Sequence, residues 1–319
     1  MSPLLVLIIA VLATTYAGPV IRLATAPALA IAFWRLTLVL PVTGLGAWRE
    51  SRAAGPGSAA PGSLVGEFPE PRAAGTGSAA PADPVGSSLV LMFISGLALA
   101  AHFWTWIASL QYTSVASSVV LVSLKPVFAW GIAALWLNEH PTGREKWGIG
   151  LAVLGAVLIG TADARGAIGA VGGDVLALTG ALAAAIYYVI GRRVRATVGV
   201  WSYAAVVYTV AAAALAGLAL GSGVAFTGYP TSDWMVFLAL AAGPMLIGHT
   251  GLNYALKHYR ATTVNVAALG EPVGATILAW LIPAIHEIPS PLALVGGAIT
   301  LGGIGLTLTS GGEGARRAA

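Results

Sequence analysis

The chain lacks cysteine and has few charged residues. None of its 319 residues is Cys, which excludes disulfide bonds, cysteine-ligated zinc and thiol catalysis. Only 9% are Asp, Glu, Lys or Arg, whereas 57% are hydrophobic; soluble proteins carry about 25% charged residues. Lipid, unlike water, allows helices to be apolar on nearly every face. The composition therefore predicts an integral membrane protein.

Ten apolar runs are long enough to cross a bilayer as helices, which takes about 17–25 residues each. They lie near 4–24, 27–48, 88–110, 115–137, 146–163, 174–194, 201–221, 233–256, 262–284 and 290–310. The first run also fits a signal peptide cleaved near residues 24–26, although no basic segment precedes it. We predict an all-α membrane protein of ten transmembrane helices.

The Lys and Arg residues are distributed unevenly between the two ends of these runs. With a cytoplasmic N-terminus, the inner segments hold twelve of the 16: Arg49, Arg52, Arg72, Arg144, Lys146, Arg192, Arg193, Arg195, Lys257, Arg260, Arg316 and Arg317. The outer loops hold Arg22 and Arg165, and Arg35 and Lys125 fall within runs. Cationic loops stay in the cytoplasm. We therefore expect a multi-pass protein of the cell inner membrane with both termini cytoplasmic.

Residues 49–86 differ from the rest of the chain. They are rich in Ala, Gly, Pro and Ser, and the sequence RAAGPGSAAP at 52–61 recurs as RAAGTGSAAP at 72–81. Such a composition provides little apolar surface for a core and predicts a flexible cytoplasmic linker. A duplicated insertion explains the segment; docking of a partner is the alternative.

Spans three to five resemble spans eight to ten. Three matches share an offset of 147, and Lys125-Pro126 matches Glu271-Pro272 at 146. The first span matches the sixth more weakly, at an offset of 171. The difference between this offset and 147 is close to the extra length of the linker. The matched residues are His102 with His249, Tyr112 with Tyr259, Gly150 with Gly297, and Tyr16 with Tyr187.

Each repeated unit has five spans, an odd number, so the second unit must enter the membrane from the opposite side. This inverted-repeat arrangement is typical of secondary transporters, whose substrate site lies between the repeats near the midplane. We predict the repeats at 1–163 and 174–310, followed by a cytoplasmic tail at 311–319.

The two repeat ends resemble the EamA-type branch of the drug/metabolite transporter superfamily. The matching segments are LKPVFAWGIAALWLNE at 124–139, GEPVGATILAW at 270–280 and FWRL at 33–36. The resemblance covers nearly the whole chain except the linker; where the family often has Trp-Gly in its first span, this chain has YAGP at 16–19. It implies ten spans and transport, commonly outward, of amino acids, related metabolites or drugs.

Lys125 and Glu271 occupy equivalent positions, each directly before a proline. A charge inside a span costs about 2.5–3.5 kcal/mol and is a functional candidate. Proline bends the helix and leaves a backbone carbonyl that is tolerated beside a cavity. We expect both side chains to face the central cavity, as an ion pair or as ligands for the two ends of a zwitterionic substrate. The alternative is a static pair that holds the halves together.

His102 and His249 form a second symmetric pair. Each has a neighbour one turn along the same helix face, Trp106 and Asn253 respectively. One interpretation is a polar, aromatic substrate wall with proton coupling, since histidine titrates near neutral pH. The alternative is hydrogen bonding between helices.

The remaining candidates are Arg35 and three tyrosines. Arg35 either binds a substrate carboxylate or holds the fold by pairing with backbone carbonyls. Tyr16, Tyr187 and Tyr188 either gate the cavity or pack between helices. We predict substrate contacts from Arg35, Tyr16 and Tyr187 as well as from the two symmetric pairs and their neighbours.

The sequence therefore predicts a secondary transporter that moves a small solute by alternating access. It has no Walker motif for an ATP motor, and we expect no cofactor, bound metal or nucleic acid. Both a monomer and a homodimer agree with the sequence. The rival class is an intramembrane enzyme that uses His102, His249 and Glu271 as acid–base groups.

Overall fold

The structure, a computed structural model, describes residues 1–21, 23–53, 85–112, 118, 121–162, 171–281 and 288–317, and over these residues it is helical without strands. The helices are α1 (Pro3–Thr14), α2 (Ala17–Ile21), α3 (Ala28–Thr37), α4 (Leu40–Ala53), α5 (Val85–Tyr112), α6 (Lys125–Trp136), α7 (Gly143–Ala162), α8 (Val171–Val194), α9 (Val200–Gly221), α10 (Thr231–Leu240), α11 (Thr250–Ala255), α12 (Ala261–Ala267), α13 (Gly270–Leu281) and α14 (Pro291–Arg317). A π-helical segment, Ala241–His249, joins α10 to α11.

These helices confirm the prediction of an all-α membrane protein. They form ten helical regions that correspond to the ten apolar runs. Seven are long and apolar enough to cross a bilayer: Pro3–Ile21, Ala28–Ala53, Gly86–Tyr112, Val171–Val194, Val200–Gly221, Thr231–Ala255 and Pro291–Ser310. Most of the predicted linker, together with Arg22, Arg72 and Arg165, lies outside the described residues, as do the side chains of the predicted tail.

The fourth and ninth spans are interrupted at corresponding points. A turn at Ser123 and Leu124 precedes α6, and a turn at Ala268 and Leu269 separates α12 from α13. Each new helix has a proline in its first turn, where a missing N–H costs no helical hydrogen bond. The predicted bends at these prolines are thus helix starts.

The eighth span changes its winding around Pro244. A proline inside a helix has no N–H and its ring clashes with the carbonyl four residues earlier, and here the chain winds as the π-helical segment. The Tyr16 hydroxyl donates to the Ala239 carbonyl oxygen at 3.0 Å, one turn before the proline. The first helical run therefore packs within the bundle, against the irregular part of the eighth span.

Helices α7 and α14 cross at four glycines. Gly148 lies against the backbone of Gly303, and Gly155 lies against the backbone of Gly296. A Cβ atom at any of the four would meet the facing helix, which is how small residues allow close approach in membranes. Gly302, next to Gly303 on the same helix, faces open space instead.

Ion pairs and hydrogen bonds between loops and helix ends link the helices at both ends of the bundle; we call these contacts ties. At one end, Arg192 bonds to Glu139 at 3.0 Å and Arg260 bonds to Glu145 at 3.1 Å. At the other end, the Thr25 backbone N–H and hydroxyl donate to the two carboxylate oxygens of Asp233 at 3.0 and 2.9 Å. The loops predicted for a shared side of the membrane thus contact one another.

Candidate functional site

A cavity of about 30 Å³ lies in the middle of the bundle. It has room for about one or two water molecules. Its wall consists of Thr14, Ala17, Arg35, His102, Phe103, Trp106, Val122, Lys125, Tyr188, Pro244, His249 and Glu271. Six of the nine predicted site residues are therefore brought together here, from five separate helical regions.

Lys125 and Glu271 face each other across this cavity. The Lys125 ammonium lies 3.6 Å from a Glu271 carboxylate oxygen. The Lys125 side chain is 7% exposed and that of Glu271 is 30% exposed. Both residues lie in the first turn of an interrupted span, which explains why their side chains meet. At 3.6 Å the pair is wider than a direct charge-assisted hydrogen bond.

His102 joins the cavity to the sixth span. Its Nδ1 lies 2.9 Å from the Gly180 carbonyl oxygen, and because a carbonyl only accepts, the ring nitrogen donates. This leaves Nε2 as the other polar atom of the ring. Trp106 stacks beside the imidazole, with ring centres 6.1 Å apart and planes 7° apart. His102 thus makes the interhelical bond that was one of its two interpretations.

His249 lies in an aromatic environment at the end of the π-helical segment. The Tyr188 ring stacks against it at 6.4 Å and 7°, and the Phe103 ring meets it edge-on at 5.0 Å. Its Nδ1 is buried and has no hydrogen-bond partner among the described residues. The ring is therefore held by packing and retains an unused polar atom at the cavity wall.

Arg35 is the most deeply buried charge of the cavity, with 1% of the residue exposed. Its guanidinium carbon lies 4.0 Å from the centre of the Phe103 ring, a cation–π contact. Among the described residues, no hydrogen-bond partner reaches its Nε or Nη1 atoms. The carbonyl pairing considered for this arginine is therefore not made by these two atoms.

Three predicted site residues lie elsewhere in the described part of the chain. Asn253 accepts from the Tyr187 hydroxyl at 2.8 Å and donates to the Tyr208 hydroxyl at 3.2 Å. This network is fully buried behind the wall. Tyr16, as described above, holds the eighth span. Among the three tyrosines considered for gating, Tyr188 lines the cavity.

The other wall residues carried no signal in the sequence. Phe103 contacts both Arg35 and His249, yet an aromatic residue in a membrane helix is expected to pack against helices or lipid. Thr14, Ala17 and Val122 are ordinary residues of apolar runs. These residues belong to the site because they lie beside Lys125 and the histidines in the cavity wall.

The family model described as "EamA-like transporter family" matches residues 1–161 and 171–309 of this chain. The match covers nearly all of the chain in two segments. These segments are close to the two repeats expected from the sequence.

Similar proteins are known in Bacillus subtilis (strain 168). The "Uncharacterized transporter YdfC" is 28% identical over 193 residues, which make up 59% of this chain and 60% of YdfC. The "Uncharacterized transporter YyaM" is 22% identical over 226 residues, 68% of this chain and 73% of YyaM. A crystal structure with 19% sequence identity covers 96% of both chains with a TM-score of 0.70, which shows a shared fold.

Proposed function

Because the chain belongs to the EamA-like transporter family, we propose that it is a secondary transporter that moves a small solute by alternating access between two inverted five-helix halves. The halves are residues 1–163 and 174–310. The substrate site is the central cavity. The family membership supports transport rather than intramembrane enzyme chemistry at His102, His249 and Glu271.

The observation that carries this proposal is the meeting of Lys125 and Glu271. The two residues hold equivalent positions in the halves, and their side chains approach to 3.6 Å at the cavity. Both lie at helix starts within interrupted spans, the feature that forms midplane sites in inverted-repeat transporters. Because each half supplies one of the two charges, both charges can contact one solute only when the two halves lie close together.

In this proposal, the narrow cavity belongs to an intermediate of the transport cycle. Ion pairs tie the halves at one end, and Thr25 with Asp233 ties them at the other. A cavity of about 30 Å³ cannot hold an amino acid, so at least one tie opens before solute enters. Opening the two ends in turn is alternating access.

Amino acids, related metabolites and drug-like compounds are the substrates to test, with export as the direction. The orientation, with both termini in the cytoplasm, rests on the excess of Lys and Arg in the segments assigned to that side. His102 and His249 are the groups for proton coupling. In this proposal either the monomer or a homodimer carries out transport.

The test is flux in proteoliposomes with a panel of radiolabelled amino acids and nucleobases. We expect Lys125→Ala and Glu271→Gln each to lower flux by about tenfold or more, because removing one partner leaves a buried charge uncompensated. The double variant removes both charges and so distinguishes a structural ion pair from a substrate site. If the pair only holds the halves together, flux should recover in the double variant. If the two residues bind substrate, flux should stay low.

Arg144→Gln is the matched control, since this exposed cation lies outside the cavity. It should transport like the unaltered protein. Wild-type flux in all three site variants would disprove the site. Chemical conversion of a solute without flux would instead indicate an enzyme.

A further inference from the structure

We infer that the central cavity binds a solute with one net negative charge, whose carboxylate contacts Arg35. The inference rests on the proposed transport function, which supplies the reason for a solute to enter the cavity. It narrows the solute to monocarboxylates with an apolar or aromatic body. Three features favour an anion: two Arg35 donor atoms without a partner among the described residues, the charges around the cavity and the helix starts beside it.

Arg35 has two donor atoms from which no described residue accepts a hydrogen bond. Its Nε and Nη1 atoms are buried and have no hydrogen-bond partner among the described residues. A buried charged donor without a hydrogen-bond partner carries a larger desolvation penalty than a neutral donor does. The contact with Phe103 offsets part of this cost, but an aromatic face does not replace hydrogen bonds to N–H groups. A planar carboxylate accepts in the geometry that a guanidinium offers.

The charges of the cavity wall do not cancel. Lys125 and Glu271 neutralise each other at 3.6 Å, and Arg35 remains as a second cation on the wall. Glu271 is the carboxylate among the wall residues, and it already pairs with Lys125. His102 and His249 add no charge when neutral, and protonating either would make the cavity more positive. The wall therefore carries a net charge of at least one positive unit.

Two helix starts add to this positive potential. Helices α6 and α13 are each 12 residues long. Their first turns bring Lys125 and Glu271 to the cavity. The N-terminal end of a helix carries a partial positive charge of about half a unit. In transporters such half-helix starts face anionic groups of the substrate. Here they reinforce the preference that Arg35 sets.

A net charge of minus one is the charge that neutralises this site. A zwitterion leaves the surplus cation uncompensated, and a cationic solute increases it, at a cost that grows where water is excluded. A monocarboxylate removes the imbalance and fills the donors of Arg35. The stacked rings of Trp106 and Tyr188 beside the histidines offer surfaces for an apolar body.

A series of four compounds with one benzyl group tests the charge rule. 2-Phenylethylamine, phenylalanine, 3-phenylpropanoate and benzylmalonate carry net charges of +1, 0, −1 and −2 at pH 7.5. Equilibrium binding is measured to the purified full chain in detergent. We expect 3-phenylpropanoate to bind more tightly than the other three compounds, by about tenfold or more over phenylalanine.

Charge variants of the cavity should move this optimum. Arg35→Gln lowers the wall charge by one, so 3-phenylpropanoate should lose about 10–100-fold in affinity and the preference should shift to phenylalanine. Glu271→Gln raises the wall charge by one, so the preference should shift toward benzylmalonate. Arg35→Lys keeps the positive charge, so the four compounds should keep their order of affinity while 3-phenylpropanoate binds more weakly. This variant keeps the test decisive should Arg35→Gln not fold. Arg144→Gln is the control that removes a cation elsewhere.

Two outcomes overturn the inference: tightest binding of phenylalanine or 2-phenylethylamine by the unaltered chain, or an unchanged charge order in both Arg35→Gln and Glu271→Gln. Flux in proteoliposomes separates this inference from the proposed function. If 3-phenylpropanoate binds in the expected order but is not moved, and no other solute is moved, the charge rule stands and the transport proposal fails. If a zwitterion is moved and the anion neither binds nor moves, the transport proposal stands and the charge rule fails.

Discussion

Asn253 connects two helices and a loop through single hydrogen bonds. Its side chain accepts from Tyr187 and donates to Tyr208, and its backbone carbonyl accepts from the Arg195 guanidinium at 3.0 Å. All three side chains are buried. The amide has one acceptor and one donor group, which match the Tyr187 hydroxyl as donor and the Tyr208 hydroxyl as acceptor. From this position we expect Asn253 to act in stability; the substrate contact predicted from the sequence is the alternative.

Asn253→Ala should therefore destabilise the protein without changing its substrate affinity. The substitution removes both side-chain bonds and takes away the acceptor of the buried Tyr187 hydroxyl, whereas the Tyr208 hydroxyl keeps Thr250 at 3.2 Å. We expect the free energy of unfolding to fall by about 1–3 kcal/mol. SDS titration of the purified protein measures this change. Thr179→Ala is the control, since that hydroxyl is exposed and bonds to its own helix. An unchanged unfolding curve with an altered KM for the transported solute would restore Asn253 to the substrate wall.

Residues of the cavity wall were predictable from the sequence where chemistry alone is informative. Charges inside spans are costly, which drew attention to Arg35, Lys125 and Glu271 before any geometry was known. The rotation of each side chain about its helix axis was not predictable. Tyr187 and Tyr188 are neighbours in sequence, yet about 100° of rotation separates them: one joins the Asn253 network and the other lines the cavity.

At the scale of elements, hydropathy predicted the number and type of helices but not their interruptions. Lipid requires long apolar helices, and this requirement is visible as ten runs. A proline in the sequence shows only that one backbone N–H is missing. Whether the helix restarts there or winds as a π-helix depends on the surrounding structure. Pro126 and Pro272 lie in first turns, whereas Pro244 lies within a π-helical segment. These outcomes depend on contacts from distant residues, such as Tyr16 at Ala239.

The glycine crossing of α7 and α14 gives a test at this scale. A methyl group at Gly155 would meet the backbone of Gly296 and Thr300, and one at Gly303 would meet Gly148 and Ala152. We expect Gly155→Ala and Gly303→Ala each to lower stability by about 1–3 kcal/mol, the usual cost of overpacking. Melting temperature in detergent measures the effect.

Each of these variants has a matched control on the same helix. Gly150 and Gly302 have open space where a Cβ would lie, so Gly150→Ala and Gly302→Ala should leave the melting temperature unchanged or slightly raised, since Ala favours helix. Equal effects at packed and open glycines would show that helix propensity, rather than close contact, explains the glycines of these spans.

At the scale of the whole molecule, ties between the proposed halves lie at opposite ends of the bundle. Asp233 is near the start of the Thr231–Ala255 helical run, whereas Leu256, which accepts from Arg192, follows its end. A run of this length separates them by about 35 Å. In the proposed mechanism the cavity lies between the two ties, and each tie closes one route to it. A transporter of this design opens one route at a time.

Cross-linking tests this mechanism directly, because the chain contains no cysteine of its own. Two double variants, Thr25→Cys with Asp233→Cys and Glu139→Cys with Arg192→Cys, are treated with a short, cleavable thiol cross-linker. We expect either cross-link to stop flux in proteoliposomes, because each end must open once in every cycle. Cleaving the linker should restore the flux of the untreated double variant, and the four single-cysteine variants show the effect of the reagent alone. Undiminished flux after complete cross-linking of either end would mean that solute crosses without separation of that tie, and alternating access between these halves would be wrong.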